Sequence, residues 1–396
     1  MPKVSKRIET IPPYLFAEIS RIKAEMRAKG EDIIDLGIGD PDQPTPEPIV
    51  RYAQQAVENP AAHTYDESPR GWTPFLEAAA RWYQKNFGVN LDPNKELLEL
   101  IGSKEGLSHL IWAYIDEGDG IILPDPAYPV YRIHARMCGA NIYDATLDEA
   151  NGFLPKLEDI PTDAARNAKL MFTCYPGNPT GAVAPISFYE DAVRFCKHHD
   201  IVLVCDLAYA MVTYDGYKTP SALQVNGAKD CVIEFHSLSK AFNMTGWRIG
   251  FACGNPDAIG ALSRLKDNID SKQFAAIADT AAWALDHGDN SRTMEVYKKR
   301  RDVLVHALNE AGWNIQPPKA SFYIWAKVPT DETSAGFAKR LLEQAKVLVI
   351  PGTGYGPAGE GYVRMSLTVK GDQNGERVAE AARRIAQHAI RSTIKT

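Results

Sequence analysis

Short apolar runs that alternate with longer helical stretches are the feature that most constrains the fold. Candidate strands occupy residues 97–101, 120–123, 141–146, 169–174, 201–205, 231–235 and 249–253. Helical patterning lies between several of them, as at residues 103–115, 185–199 and 256–265. Continuous runs of Val, Ile and Leu separated by helices are typical of parallel strands covered on both faces. The sequence therefore predicts an α/β fold with a mainly parallel central sheet and a ligand site at the carboxyl ends of its strands.

The pattern changes after about residue 289, which indicates a second, smaller α+β domain. The expected elements there are a charged helix at 292–310, strands at 321–328, 346–350 and 362–367, and an amphipathic helix at 376–391. An N-terminal helix at 14–28 is expected to join this domain. A length of 396 residues fits such a division at roughly 150 residues per domain. We predict an N-terminal arm and helix over 1–40, a large domain over 41–289 and a small C-terminal domain over 290–396.

The charge balance and the apolar pattern exclude two classes of partner. Forty-four Lys and Arg residues against fifty Asp and Glu residues give a net charge of −6. A chain without a basic excess is not expected to bind nucleic acid. It contains no apolar run of about 18 residues that could span a membrane, and its first residues do not read as a signal peptide. We therefore expect a cytoplasmic protein.

The cysteines and histidines do not predict a metal site. The six cysteines are at least nine residues apart, so no Cys-x-x-Cys pair exists. Most of them lie in apolar runs, where a free thiol behaves as a small hydrophobic group. His236 stands alone in a predicted strand. We expect a reduced protein that binds no metal.

Three polar side chains follow predicted strands at the point where each strand ends. Asp206 and Lys240 each follow an apolar run, and Asn178 lies in a turn rich in Pro and Gly after another. Taken singly, such residues could be a helix cap or parts of ordinary turns. Their joint occurrence, with Arg248 eight residues after Lys240, instead favours a binding site at one edge of the sheet.

Four motifs contain these residues and carry a resemblance to a known family. They are Pro-Gly-Asn-Pro-Thr-Gly at 176–181, Asp-Leu-Ala-Tyr at 206–209, Ser-Leu-Ser-Lys at 237–240 and Gly-Trp-Arg at 246–248. With them the chain resembles the fold-type I pyridoxal-phosphate enzymes, specifically the class I and II aminotransferases, over nearly its whole length. The resemblance implies a transaminase whose large domain binds pyridoxal 5'-phosphate.

The resemblance assigns the reaction chemistry to a few residues. Lys240 would attach the cofactor covalently, and Asp206 would pair with its pyridine nitrogen. Asn178 and Tyr209 would contact its phenolic oxygen. A carboxylate beside the ring nitrogen favours the protonated ring, which is a better acceptor for electrons from the substrate Cα. A lysine serves both as the attaching amine and as the base that moves the Cα proton, so the candidate catalytic residues are Lys240, Asp206 and Tyr209.

Further matches concern the phosphate group, the cofactor ring and the subunit boundary. Ser103, with the backbone amide of Lys104, opens a predicted helix and would form an anion site. The remaining matches are Ser237, Ser239 and Arg248 for the phosphate, Tyr128 for stacking on the ring, and Tyr65 for a phosphate contact from the neighbouring subunit. Arg248 would be the charge partner of the phosphate. The match of Tyr65 implies a homodimer with shared active sites.

The resemblance also predicts how an amino acid substrate would be held. Arg364 matches the family's arginine that binds the α-carboxylate in a bidentate geometry, which lysine cannot copy. Gly39 matches a loop residue whose backbone approaches that carboxylate. Asn178 is expected to contact the substrate as well. The expected partners are therefore a small amino acid and a 2-oxo acid.

Other motifs resemble one branch of the family, which holds bacterial LL-diaminopimelate aminotransferases and closely similar alanine aminotransferases. These motifs are Pro-Pro-Tyr at 12–14, Gly-Ser-Lys-Glu-Gly at 102–106, Asn-Met-Thr-Gly-Trp-Arg-Ile-Gly at 243–250 and Lys-Ala-Ser-Phe-Tyr at 319–323. Asn-Ile-Asp-Ser at 268–271, followed by Phe274, favours the diaminopimelate members. In the diaminopimelate members, the residues that match Tyr14, Lys104 and Asn268 contribute to the substrate site. Lys272 stands where this resemblance leads us to expect glycine.

The branch implies transfer of an amino group from LL-2,6-diaminopimelate to 2-oxoglutarate in lysine biosynthesis, through a ping-pong cycle. An aminotransferase for alanine, aspartate or another amino acid is the first alternative. A fold-type I β-lyase would use the same cofactor residues. A transcription regulator with an aminotransferase-like module would need a DNA-binding segment, and only about a dozen residues precede the first predicted helix.

Overall fold

The structure is a computed structural model that describes residues 1–12 and 15–389, without the side chains of 15–20, 27 and 389. Its α-helices are α1 Lys6–Glu9, α2 Leu15–Ala28, α3 Glu47–Val57, α4 Thr73–Phe87, α5 Ser103–Tyr114, α6 Pro129–Cys138, α7 Thr162–Asn167, α8 Ile186–His199, α9 Leu238–Ala241, α10 Pro256–Asp267, α11 Ala275–His287, α12 Ser291–Glu310, α13 Ser334–Arg340 and α14 Glu376–Ala389. Its strands are β1 Ile34–Asp35, β2 Leu97–Leu100, β3 Gly120–Asp125, β4 Asn141–Thr146, β5 Ala168–Cys174, β6 Val202–Asp206, β7 Val232–Ser237, β8 Gly250–Gly254, β9 Tyr323–Lys327, β10 Val347–Leu348, β11 Ile350–Pro351 and β12 Tyr362–Ser366.

A seven-stranded sheet forms the centre of the molecule, in the order β2-β8-β7-β6-β5-β3-β4. Strand β8 runs antiparallel to β2 and β7, and every other pairing in this sheet is parallel. The α/β fold with a mainly parallel sheet is therefore confirmed. Cys174 pairs with Asp206, and Asp206 pairs with Phe235, so the ends of β5, β6 and β7 meet at one edge.

The central strands are mostly apolar, as expected for a sheet whose two faces are both covered by helices. Along β6, Leu203 and Cys205 contribute to one core, whereas Val204 contributes to the other. The first core includes buried residues of α4, α8 and α11, and the second includes those of α5, α6 and α10. Successive residues of a strand point to opposite faces, so burial on both faces requires the continuous apolar runs seen in the sequence.

The C-terminal part forms a smaller layered unit. Strands β9, β11 and β12 make an antiparallel sheet in the order β11-β12-β9, and β1 pairs in parallel with β10. Residues of α12 and α14 pack on these strands in a separate apolar core. The domain boundaries at 40/41 and 289/290 stay a prediction.

Two strand predictions in this unit differ from the structure. The single strand expected at 346–350 is divided, because Val347 pairs with Ile34 whereas Ile350 pairs with Arg364. The strand expected from residue 321 begins at Tyr323, because Ser321 has φ 67°, in the left-handed region that a strand excludes. Neighbours distant in sequence therefore set these strand ends.

Both terminal helices are present, with bounds close to those expected. The N-terminal helix begins at Leu15, and Tyr14 lies outside the described residues. The last helix is described to Ala389, so the expected end at residue 391 also lies outside them. Within the described part of the chain, no helix combines the length and apolar character needed to cross a bilayer.

Candidate active site

A cavity of about 730 Å³ opens at the carboxyl ends of β5, β6 and β7. Most of the residues predicted for the site line it together. They are Gly39, Ser103, Lys104, Tyr128, Asn178, Asp206, Tyr209, Ser237, Ser239, Lys240, Arg248 and Arg364. They come from the strands β6, β7 and β12, from the helices α5 and α9, and from loops between elements, so only the folded chain brings them to one place.

Two residues predicted for the site, Tyr65 and Asn268, do not belong to this lining. The side chain of Tyr65 is 96% exposed in the single chain. Asn268 is exposed at the end of α10, where its amide donates to the carbonyl of Arg264 at 2.8 Å. Tyr14 lies outside the described residues. Lys272 is also outside the lining, with its Nζ 3.7 Å from Asp267 Oδ1.

Lys240 enters the cavity from a short helix that directly follows a strand. The N-cap of α9 is Ser237, whose hydroxyl accepts a hydrogen bond from the amide of Ser239 at 3.2 Å. Burial of the amine lowers the pKa of Lys240 to about 8, opposed mainly by the carboxylate of Asp40. A lysine with a lowered pKa has a larger neutral fraction and is a better nucleophile and base near neutral pH.

Asp206 is the last residue of β6 and is held by two hydrogen bonds. Its Oδ2 accepts from the hydroxyl of Tyr131 at 2.6 Å, and its Oδ1 accepts from the amide of Ala208 at 3.1 Å. Burial raises the pKa of Asp206, and the bond from Tyr131 opposes that rise. Tyr131 was not predicted as a site residue. The available signal was its position three residues after Tyr128 on α6, since residues i and i+3 share a helix face.

The start of α5 forms a compact cradle beside Arg248. Gly102, the N-cap of α5, has φ 100°, and a Cβ on it would lie 2.7 Å from Arg248 Nη2. Only glycine combines this backbone conformation with so close an approach. Ser103, Ser237 and Arg248 line the same cavity, so hydroxyls, a guanidinium and helix-start amides are available to one anion.

Arg364 is fixed in the cavity wall by contacts on several sides. It is 1% exposed; its Nη1 donates to Asn178 Oδ1 at 2.8 Å and its Nη2 to the carbonyl of Gly37 at 2.6 Å. The rings of Tyr323 and Tyr355 lie 4.1 and 4.8 Å from the guanidinium carbon. Such cation–π contacts and directed hydrogen bonds hold the planar group in one orientation.

Tyr323 and Asp40 are among the lining residues that were not predicted from the sequence. The hydroxyls of Tyr209 and Tyr323 are 2.9 Å apart, and burial raises the pKa of both phenols, which keeps them neutral. Tyr323 lies in a motif that indicated only the branch of the family. Asp40 follows Gly39 and lines the cavity with it. Nothing in its local sequence distinguishes Asp40 from a loop residue.

The expectation that His236 stands alone is wrong. Its Nε2 lies 3.4 Å from Glu234 Oε2, and Cys253 belongs to the same buried cluster. Glu234 and Cys253 are direct neighbours across β7 and β8, and residues two apart on a strand share a face. Glu234 also accepts hydrogen bonds from Ser221 Oγ at 3.0 Å and from the amide of Ala222 at 2.7 Å.

Comparison with known proteins gives a consistent result over the whole chain. The model of the family described as aminotransferase class I and II matches residues 31–385. The LL-diaminopimelate aminotransferase of Moorella thermoacetica is 49% identical over 383 residues, which are 96% of this chain and 97% of that protein. LL-diaminopimelate aminotransferase 2 of Nostoc sp. is 47% identical over 390 residues, 98% and 99% of the two chains. A solved structure of a Thermus thermophilus aspartate aminotransferase double mutant superposes with a TM-score of 0.88 at 29% identity, covering 98% of this chain and all of the other.

Proposed function

The chain belongs to the class I and II aminotransferases, and we propose that it moves an amino group from LL-2,6-diaminopimelate to 2-oxoglutarate with pyridoxal 5'-phosphate as cofactor. This activity would place it in lysine biosynthesis. The observation that carries the proposal is that Lys240, Asp206 and Arg364 line one and the same cavity. The names of the two diaminopimelate relatives support the choice of amino donor.

The residues of the cavity fit the proposed cofactor. Its phosphate would bind Ser103, Ser237, Ser239 and Arg248 in the cradle that Gly102 leaves open. The ring nitrogen would face Asp206, and Tyr128 would stack on the ring. When bound, pyridoxal phosphate supplies an electron-withdrawing ring that takes up the electron pair left at the substrate Cα.

Side chains of the protein would hold and transfer the protons of the reaction. Lys240 Nζ, whose pKa burial lowers to about 8, would accept the proton from Cα of the bound amino acid and return it to the cofactor side. Asp206, whose charged form is stabilised by the hydrogen bond from Tyr131, would hold a proton on the ring nitrogen. Tyr209, neutral because its buried phenol has a raised pKa, would donate to the phenolic oxygen.

Arg364 would bind the α-carboxylate of the amino acid and of the 2-oxo acid. Its guanidinium is already oriented by Asn178, Gly37 and two tyrosine rings, so little ordering would be needed on binding. Tyr323 packs closely against Gly39, where a side chain would clash with it. Glycine at this position therefore lets the backbone lie near the proposed carboxylate position.

The lining also contains charges that suit the far end of diaminopimelate. That end carries a second amino group and a second carboxylate, and the cavity contributes Lys104 and Asp40 in addition to the groups discussed above. Loss of hydration and the nearby Arg248 lower the pKa of Lys104. Alanine has no distal group that could bind these charges, so its methyl side chain would gain no affinity from them.

A homodimer with shared sites remains part of the proposal. Tyr65 is a large exposed aromatic residue, and it lies in the chain segment just after α3, which exposes Val50 and Val57. Ile269 and Phe274, on either side of Lys272, are exposed as well. An exposed apolar surface of this kind supports pairing of two copies, in which Tyr65 and Asn268 could serve the partner's cavity.

A side-by-side assay tests the proposed donor. We expect the purified holoenzyme to transfer the amino group of LL-diaminopimelate to 2-oxoglutarate with a higher kcat/KM than that of L-alanine. Lys104→Met should lower kcat/KM for diaminopimelate at least about tenfold, as loss of a charge-assisted hydrogen bond requires, and should affect glutamate much less. Lys169→Met, a lysine paired with Asp119 away from the cavity, is the control.

Two other outcomes would contradict the proposed donor. Rapid transfer from alanine without measurable transfer from diaminopimelate would identify an alanine aminotransferase. Release of ammonia and a 2-oxo acid without any amino acceptor would identify a lyase. Equal loss of diaminopimelate and glutamate turnover in Lys104→Met would show that Lys104 does not contact the far end of the donor.

A further inference from the structure

A connecting segment, residues 36–45, runs along the rim of the cavity and is bonded to different parts of the chain at its two ends. Near its start, the carbonyl of Ile38 accepts from Thr368 Oγ1 at 2.8 Å, just beyond β12. At its end, Thr45 Oγ1 donates to the carbonyl of Asn243 at 2.8 Å, in the loop that follows α9. The connecting segment therefore joins the turn after β12, the strand that contains Arg364, to the loop after α9, the helix that contains Lys240.

A buried ion pair fixes the connecting segment between these two ends. The side chains of Asp42 and Arg300 are both 0% exposed. Arg300 Nη1 and Nη2 donate to the two carboxylate oxygens of Asp42, each at 2.9 Å. The other donors of Arg300 reach the carbonyls of Leu367 at 2.8 Å, Val369 at 3.0 Å and Asp372 at 2.8 Å. The guanidinium therefore ties Asp42 to the turn after β12 and to α12.

The buried pair of Asp42 and Arg300 is better explained by the orientation it imposes than by a contribution to the free energy of unfolding. Buried ion pairs contribute little net stability, because desolvation offsets their attraction, and apolar residues of similar volume can replace them. A planar guanidinium with all its donors engaged instead holds its partner in one orientation. Ile38, Gly39 and Asp40 precede Asp42 on the connecting segment, separated from it by Pro41 alone, and all three line the cavity.

We propose that Asp42 and Arg300 are positioning residues that hold Ile38–Asp40 at the rim of the cavity and so set the affinity for the substrate carboxylate. The connecting segment also contains Gly37, whose carbonyl accepts from Arg364 Nη2 at 2.6 Å. A shift of the connecting segment would therefore displace both the backbone near the carboxylate and a hydrogen-bond partner of its guanidinium. The inference rests on the proposed role of Arg364 in carboxylate binding.

Hydrogen exchange and steady-state kinetics of two variants test this inference. Asp42→Asn removes the charge of the pair, and Thr368→Val removes one hydrogen bond to the same connecting segment without touching a charge. In both holoenzymes we expect faster amide exchange confined to residues 36–45. KM for the amino acid should rise about tenfold for Asp42→Asn while kcat changes less than about twofold, the signature of weakened binding alone.

The control is Asp286→Asn. Asp286 accepts two hydrogen bonds from Arg81 on the surface, and this variant should change neither the amide exchange of residues 36–45 nor KM. If Asp42→Asn does not fold, the Thr368→Val result decides alone. Folded variants with unchanged KM and unchanged exchange over 36–45 would overturn the inference. KM is measured with whichever amino acid the wild-type enzyme uses. If diaminopimelate is not the donor, the wild-type assay shows this, whereas an error in the role of Asp42 and Arg300 appears only in the variants.

Discussion

A buried hydrogen bond from Tyr131 favours the charged form of Asp206, on which the proposed chemistry depends. Burial raises the pKa of this carboxyl group, which by itself would favour the neutral form. The hydroxyl of Tyr131, 2.6 Å from Oδ2, stabilises the charged form instead. Because Tyr131 is itself 0% exposed, water cannot take over this bond if it is removed. Tyr131 is therefore expected to act through Asp206.

Tyr131→Phe should lower kcat while the cofactor stays bound. The variant loses a hydrogen bond to a charged group, worth roughly 1.5–3 kcal/mol, and leaves Asp206 less able to hold the proton on the ring nitrogen. The measurement is kcat together with the pH dependence of the cofactor's visible absorption, which should shift in the variant. A change in stability with unchanged kcat and an unchanged pH profile would contradict this role.

Tyr83→Phe provides a matched control for that experiment. Tyr83 is also 0% exposed and its hydroxyl also donates to a buried carboxylate, that of Glu234, but neither residue lines the cavity. We expect this variant to lose stability of the same order and to keep its kcat.

The sequence predicted the site residues that lie in motifs, and missed those defined only by the folded chain. Lys240, Asp206 and Arg364 stand in recognisable patterns and all line one cavity. Asp40 carries no local signal and Tyr131 only its spacing from Tyr128, because their roles depend on contacts with residues of other elements. Burial and neighbouring charges, which set their effect, are properties of the assembled site.

Among the elements, the start of α5 is sensitive to a single added atom at Gly102. Gly102→Ala should weaken cofactor binding at least about tenfold, because its Cβ would press on Arg248 Nη2 and φ 100° disfavours any side chain. The measurement is the dissociation constant of the cofactor, determined with cofactor-free protein, alongside the free energy of unfolding.

Gly88→Ala is the control for Gly102→Ala, because it adds backbone strain without affecting the anion cradle. Gly88 ends α4 with φ 72°, and a Cβ there would have no neighbour within 4 Å. Gly88→Ala should lose about 1–2 kcal/mol of unfolding free energy, the cost of a left-handed residue with a side chain. Gly102→Ala, at φ 100° and ψ 150°, should lose about 1–3 kcal/mol, the cost of a backbone conformation that is nearly restricted to glycine. Equal cofactor affinity in the two variants would exclude the anion cradle at Gly102.

Element types were predictable from the sequence, whereas some element ends were not. The apolar runs that became β3, β5 and β6 are buried on both faces, so burial and pattern agree. The division of the strand expected at 346–350 depends on two partners, Ile34 and Arg364, that are far away in sequence. Periodicity contains no information about such partners.

For the whole molecule, the open question is how two chains would share their sites. Tyr65 is exposed in the single chain although its family match predicts a phosphate contact. Mixing Lys240→Ala chains with Tyr65→Phe chains should produce dimers with one intact site, and about a quarter of the wild-type activity if the chains pair at random. The parent proteins should be much less active.

Mixing Lys240→Ala chains with Lys240→Arg chains is the control, because no combination of these contains an intact site. Subunit exchange that is demonstrated by mass but never raises activity above the parents' average would contradict shared sites.

The most direct measurement concerns the attachment of the cofactor to Lys240. Borohydride reduction of the purified holoenzyme should abolish its visible absorption and leave the cofactor fixed to the protein. Peptide mapping should then find the added mass on Lys240, whose lowered pKa and position opposite Asp206 make it the expected nucleophile. Lys240→Ala should yield no adduct. A reduced cofactor mapped to Lys104, which also lines the cavity, or to any other lysine would contradict the account.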